Sequence, residues 1–293
     1  MNIRFHPHAR QRLAERGATE GEVTAAIESG ERFPAKFGRT GFRRNFAFGT
    51  LGNFLLGFAL YGSAFLLPQY LSISQGFDAE QIGEVMAWTG LPQLVVIPFV
   101  PFMMKHIDPR ALVGTGLVVF AISCFMNVHL DTDYAAPQLL VPDITRALGQ
   151  AIVMTPLSAI AMVGISPTEA GGASGLFNML RNLGGAIGTS ALETFFTKRE
   201  QYHSFVINSD VSLLQPATRT RLAELQQYFV QHGTPDPAGA MHEAMVAIGD
   251  IVRAQATIMG YADCFALLGV VLLGALGAIA LLQKGASTAG GAH

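Results

Sequence analysis

Arg146, Gln150, Met154 and Ser158 recur every four residues, so a helix carries all four along one face. An arginine and a glutamine in that row supply a permanent charge and several hydrogen-bond donors, suited to holding a polar ligand or balancing a carboxylate. Asn178, Arg181, Gly185 and Gly188 follow at i, i+3, i+7 and i+10 and share a second helical face. Gly184 and Gly188 also form a small-xxx-small pair, which lets another helix approach closely. Asp263 precedes a late apolar run, where a carboxylate can relay protons or simply sit at an interface. Both arginines have an ordinary alternative, which is to snorkel toward water. Enzyme chemistry finds little support. Ser and His occur without a triad-like context, no phosphate-binding glycine loop is present, and His6 and His8 lack further metal ligands. Cys124 and Cys264 lie inside apolar runs and read as small buried hydrophobes. No metal or cofactor is expected.

The elements that hold these residues are set by an uneven distribution of charge. Only 14% of the 293 residues are charged and 50% are hydrophobic, against about 25% charged in ordinary soluble chains. A net charge of −2 gives no reason to expect nucleic acid as a partner. Residues 45–77, 85–104, 111–130, 147–168 and 264–283 contain no Asp, Glu, Lys or Arg. A helix needs about 20 apolar residues to cross a hydrocarbon core of about 30 Å. The chain therefore reads as an all-α integral membrane protein, with spans at about 49–71, 85–104, 111–129, 138–164, 171–196 and 259–282. The fifth of these contains Arg181 and Glu193 and is counted for its glycines and flanks. Residues 1–44 differ in character. They hold nine of the 19 Lys/Arg and five of the 21 Asp/Glu, and form a separate, partial soluble segment with helices at about 6–16 and 19–29 and a basic linker.

Six spans bring both ends to one side. The basic residues Arg39, Arg43, Arg44, Lys105, Arg110 and Lys284 all fall on that side. The short loops opposite carry Asp78, Glu80, Glu84, Asp131 and Asp133 without a Lys or Arg. The positive-inside rule then makes both termini cytoplasmic, in a multi-pass protein of a bacterial-type inner membrane. Residues 197–258 become a long extracytoplasmic loop. Within it Pro216 opens one amphipathic helix and Met241, Met245, Ile248 and Val252 line a second; these lie on the membrane surface or cover a cavity.

Residues 42–49 (FRRNFAFG), 60–70 (LYGSAFLLPQY), 146–150 (RALGQ) and 171–188 (GGASGLFNMLRNLGGAIG) resemble the carboxy-terminal half of EmrB/QacA-type drug:proton antiporters. These are fourteen-span proteins of the major facilitator superfamily. Gln255, Ala256 and residues 261–265 (YADCF) resemble the outer loop and final span of the same family. The likeness covers about residues 42–283. Residues 5–17, 26–30 and 33–46 are similar instead to the first half of a small soluble domain related to ribonuclease toxins.

The resemblance implies a six-helix half-bundle of a proton-coupled multidrug efflux transporter, incomplete as a monomer. Its partners would be the lipid bilayer, a hydrophobic or cationic small molecule, and a second half-transporter or a second copy. Arg146, Gln150, Asn178, Arg181 and Asp263 are the candidates for substrate binding or proton coupling. The alternative is a non-transporting membrane relic, or an accessory subunit that pairs with a separate amino-terminal half. A further reading assigns RNA-directed chemistry to His6, His8, Arg12 and Arg16.

Overall fold

A computed structural model describes residues 35–163, 165 and 167–281, with side chains from Asn45 onward apart from those of Pro167 and Thr168. The helices expected at about 6–16 and 19–29, with His6, His8, Arg12 and Arg16, lie outside the described residues, as does Lys284. Residues 44–293 form one compact unit, and the account below concerns its described part.

The architecture is helical throughout the described residues. Helix α1 is Ala35–Ser74. The basic linker expected to precede the first span is thus already helix from Ala35. No proline occurs between residues 35 and 67 to stop it. Gly76, at φ +67°, makes the turn that follows α1. Asp78 then opens α2 (Ala79–Ala87) with a reciprocal cap: Gln81 N donates to Asp78 Oδ1 at 2.9 Å and Asp78 N donates to Gln81 Oε1 at 3.0 Å.

The second expected span is not one smooth helix. It is α2, then α3 (Leu91–Val96), a 3-10 turn (Ile97–Phe99) and α4 (Val100–His106). Pro92, Pro98 and Pro101 each sit at the start of one of the last three pieces. A proline removes an amide donor and clashes with the preceding turn, so each one restarts the helix.

Asp108 accepts from Arg110 N at 3.0 Å and caps α5 (Pro109–Met126). Helix α6 (Ala136–Met162) contains Pro142 and Pro156. Helix α7 (Pro167–Asp210) and the last helix, α9 (Pro237–Ala280), run 44 residues each; α8 (Pro216–Gln231) lies between them in sequence and packs on α9.

Five segments are long and apolar enough to cross a membrane: Asn45–Ser74, Ala79–His106, Pro109–His129, Ala136–Met162 and Pro237–Ala280. Helix α7, which holds the expected span 171–196, is long enough but is not among the five. Its glycines, Arg181 and Glu193 keep it less apolar, and it makes up for this in close packing.

Residues 197–258 are mostly helix. Helix α7 continues to Asp210, and α9 begins at Pro237, capped by Asp236 accepting from Gly239 N at 2.9 Å. Pro216 does start α8 as expected, but the stretch around Met241–Val252 is the opening of α9 rather than a separate surface helix. A 44-residue helix is about 66 Å long at 1.5 Å per residue, roughly twice the hydrocarbon thickness. Each of α7 and α9 therefore exceeds what one crossing requires.

The core lies among α1, α5, α6, α7 and α9, with Leu56, Leu66, Phe120, Leu157, Leu192, Phe265 and Leu268 all 0–1% exposed. Burying apolar side chains against each other sets which face of each helix turns inward.

Candidate functional site

Helix α6 carries a polar row through this apolar interior. Asp143, Arg146 and Gln150 are 1%, 6% and 5% exposed. Arg146 does not snorkel out of the protein. It lies close enough to Asp143, and to Cys124 of α5, for an electrostatic interaction with each. Its Nε has no hydrogen-bond partner, and neither has Asp143 Oδ2. Gln150 accepts from Gln93 Nε2 at 2.9 Å, and that same Nε2 donates to Thr89 O at 2.7 Å. The broken segment α2–α3 is thereby tied to the middle of α6. Gly149 lets α5 close on the row, because a Cβ there would stand 2.6 Å from Phe120 N.

The row continues one turn on. Met154 Sδ, half-buried, accepts from Arg181 NH1 of α7 at 3.8 Å. Arg181 is half-buried and has no ion pair, so the thioether and aliphatic contacts are what the structure offers it among the described residues. Ser158, the last residue of the repeating set, is exposed.

Asn178 does not join Arg181. It is exposed, and its Nδ2 donates to Ser174 O of its own helix at 3.1 Å. The face shared on α7 instead belongs to the glycines. A Cβ on Gly184 would fall on the carbonyl oxygen of Phe54, and one on Gly188 would stand 2.8 Å from Phe58 O. Gly57 of α1 meets Arg181 O in the same close approach. Asn53 fastens the seam, donating from Nδ2 to Phe177 O at 2.7 Å. The small-xxx-small pair thus brings α7 onto α1 and fixes where Arg181 stands.

Asp263 belongs to a different cluster. Its Oδ2 accepts from Arg199 Nε and from His203 Nε2, each at 2.6 Å. Arg199 also lies over the Tyr202 ring, 4.9 Å from its centroid. This group joins α7 to α9. Sequence reasoning passed over Arg199 and His203, because 64 and 60 residues separate them from Asp263.

It also passed over Asp143, which lies in a cavity wall. The cavity is bounded by α2 and α6 and holds about 410 Å³. Phe77, Trp88, Leu140, Glu84 and Asp143 are among its walls. In the connection before α6, Tyr70 OH donates to Tyr134 O at 2.7 Å and Gln75 Nε2 donates to Tyr70 OH at 2.9 Å. The Tyr134 phenol, outside the spans, is pushed up from its ordinary pKa by burial and then by the carboxylates of Asp143 and Asp131.

A row of buried polar side chains crossing close-packed apolar helices suits a protein that handles a polar group inside a membrane. The family model described as Major Facilitator Superfamily matches residues 8–189. The chain belongs to that superfamily. It is a multi-pass membrane protein of a transporter family, not an enzyme. The match begins at residue 8 and so takes in most of the segment that the sequence set apart as toxin-like. Colistin resistance protein EmrB of Acinetobacter baumannii is 26% identical over 229 residues, 78% of this chain and 44% of that protein. Multidrug export protein EmrB of Escherichia coli K12 is 27% identical over 186 residues, 62% of this chain and 36% of that one. Fatty acid resistance protein FarB of Neisseria gonorrhoeae is 25% identical over 265 residues, 90% of this chain and 50% of that one. The chain spans about half the length, or less, of these relatives.

Proposed function

We propose that this superfamily member acts as the carboxy-terminal half of a proton-coupled multidrug exporter in a bacterial inner membrane, and that it works with a second half. The observation that carries this reading is the burial of Arg146 and Gln150 inside a membrane-length helix. An arginine at a helix centre costs roughly 2.5–3.5 kcal/mol on insertion scales, so such residues are kept where they serve a path or a site. Relatives named for multidrug export and for colistin resistance support the export reading, and the substrate class we assign, bulky hydrophobic or cationic compounds, is the one the EmrB/QacA resemblance implies. We count α7 as the fifth of six spans, with both ends of the bundle cytoplasmic. Arg146, Gln150 and Arg181 serve the substrate or coupling path, with Asn178 and Asp263 flanking it. Residues 1–44 form a separate segment, partly toxin-like in descent.

Transport by alternating access rocks one bundle against another. One six-helix bundle has nothing to rock against, and the partner we assign it is an amino-terminal half. The segment Ala79–His106 is the surface we assign to it. Its apolar window is 11% buried, whereas the other four segments reach 50–56%.

The test is proton-driven efflux of a fluorescent dye from an efflux-deficient host, with and without a co-expressed amino-terminal half. Efflux is expected only with that half, and Arg146→Ala should abolish it. Efflux by this chain alone would overturn the two-half reading, and no efflux in either arm would overturn the export reading.

A further inference from the structure

Three basic side chains meet at the end of the bundle where α4, α5 and α6 come together. Lys105 and His106 from the last turn of α4 and Arg110 from the first turn of α5 line a cavity of about 340 Å³. Asp108 is the one carboxylate on its wall. Its Oδ1 accepts from the Arg110 amide at 3.0 Å and so caps α5, while Pro109 has no amide to offer. The helix end is thereby occupied, and recognition falls to the side chains. Asp108 is also the electrostatic neighbour of the Arg110 guanidinium. With Lys105 and Arg110 against Asp108, the wall nevertheless keeps a net positive charge whatever the protonation of His106. Neither Lys105 nor Arg110 forms an ion pair among the described residues, and Arg110 NH2 is buried without a hydrogen-bond partner. A guanidinium nitrogen out of reach of both water and an acceptor is costly, and an anion with several oxygens relieves that cost. Ile107, and Ile160 and Val163 at the end of α6, give the same cavity an apolar side.

We propose that this cavity binds a phosphate group, and that the group is the headgroup phosphate of an anionic phospholipid, with Arg110 and Lys105 holding its oxygens. The planar fork of Arg110 suits two phosphate oxygens at once, and Lys105 adds a point charge. Charge alone would take a lipid headgroup or a free phosphate equally. The apolar side favours the lipid, whose glycerol backbone and first methylenes gain contact there while inorganic phosphate gains none. By the orientation proposed above this end of the bundle is cytoplasmic, where the leaflet carries anionic lipid and basic pockets between spanning helices take its headgroups. The site does not depend on what the chain exports or on the half it works with.

The test is a titration of the full chain, stripped of lipid in detergent, with three probes. They are dihexanoyl phosphatidylglycerol, dihexanoyl phosphatidylcholine as the zwitterion of equal chain length, and inorganic phosphate. Binding is read from the rise in melting temperature with probe concentration. Phosphatidylglycerol should raise it saturably, with an affinity about tenfold or more above that of phosphatidylcholine. Arg110→Gln should weaken phosphatidylglycerol binding about tenfold, the loss of one charge-assisted contact. Lys105→Gln, at an exposed position where folding is not at stake, should weaken it about threefold. Asp108→Asn keeps a capping side chain but removes the opposing charge, so it should tighten binding, a gain that a purely structural role for these residues would not produce. Equal affinity for phosphatidylglycerol and phosphatidylcholine, or unchanged affinity in both Arg110→Gln and Lys105→Gln, would overturn the site. Inorganic phosphate binding as tightly as phosphatidylglycerol would uphold the phosphate site and overturn the lipid as its source. None of these measurements uses transport, so their failure leaves the export reading standing, and failed efflux leaves the site standing.

Discussion

Gly184→Ala should separate the α1–α7 seam, and three other glycines on the same helix provide the comparison. The new Cβ would fall on Phe54 O and stand 3.1 Å from Phe54 Cα. Both obstacles are backbone, so no side-chain rotation relieves them and the two helices must move apart. Overpacking of this kind costs roughly 1–3 kcal/mol. Glycine to alanine inside a helix also brings a propensity gain of about 0.8–1.0 kcal/mol. Gly171, Gly172 and Gly175 lie on α7 too, and a methyl group added at any of them would meet nothing within 4 Å. Alanine at those positions has the gain without the clash. Subtracting one substitution from the other removes the propensity contribution and leaves the packing cost, about 2 kcal/mol. At roughly 2–4 °C per kcal/mol for a chain of this size class, that is a gap of about 4–8 °C between Gly184→Ala and Gly175→Ala. The assay is thermal melting of the detergent-solubilised protein, with all variants in one buffer. Gly185→Ala should fall between them, because its obstacle is the movable ring of Tyr61. Equal melting temperatures for Gly184→Ala and Gly175→Ala would refute the close helix contact and the argument built on it.

Arg181→Ala should impair dye efflux by the assembled transporter while membrane insertion, followed by fractionation, stays normal. Arg181→Lys should restore efflux only in part, since lysine keeps the charge but loses the planar fork that reaches Met154. Asp263→Ala should lower stability by about 1 kcal/mol, because solvent screens the Arg199–Asp263 pair, each about a third exposed, while the more buried His203 loses its acceptor. In a double-mutant cycle Asp263→Ala and Arg199→Ala should couple by a measurable fraction of that; strict additivity would show the bridge to be inert. Cysteines at Ser72 and Gln231 should react with an impermeant thiol reagent from outside the cell, and one at Ala289 should not. The opposite labelling would invert the orientation.

Much of the architecture is legible in the sequence, and for local reasons. Long uncharged runs demand a membrane, and a membrane demands helices that satisfy their own backbones. Asp78, Asp108 and Asp236 stand where side-chain oxygens cap helix starts. Pro92, Pro98 and Pro101 visibly interrupt one span. The four-residue repeat put Arg146 and Gln150 on one face, and both are buried there. Asp143 lay inside the expected span 138–164 but before its uncharged run, and it falls outside the four-residue repeat that singled out Arg146 and Gln150. Helix α6 begins at Ala136, which carries Asp143 two turns into the helix and into the interior. Residues 197–258 read as a connection holding two separate helices because they are polar, but polarity marks the solvent a helix meets and not where the flanking helices end.

What only the tertiary structure decided is who meets whom. Spacing showed that Gly184 and Gly188 invite a helix; folding chose Phe54 and Phe58 of α1 to answer. Spacing aligned Asn178 with Arg181, but Asn178 bonds its own helix and remains exposed. Asp263 found Arg199 and His203 across 60 or more positions of the chain. Periodicity and charge report each segment's preference for lipid, water or a neighbour, because those preferences are local. Partners between segments depend on how whole helices pack, and that is settled by the sum of many contacts far apart in sequence.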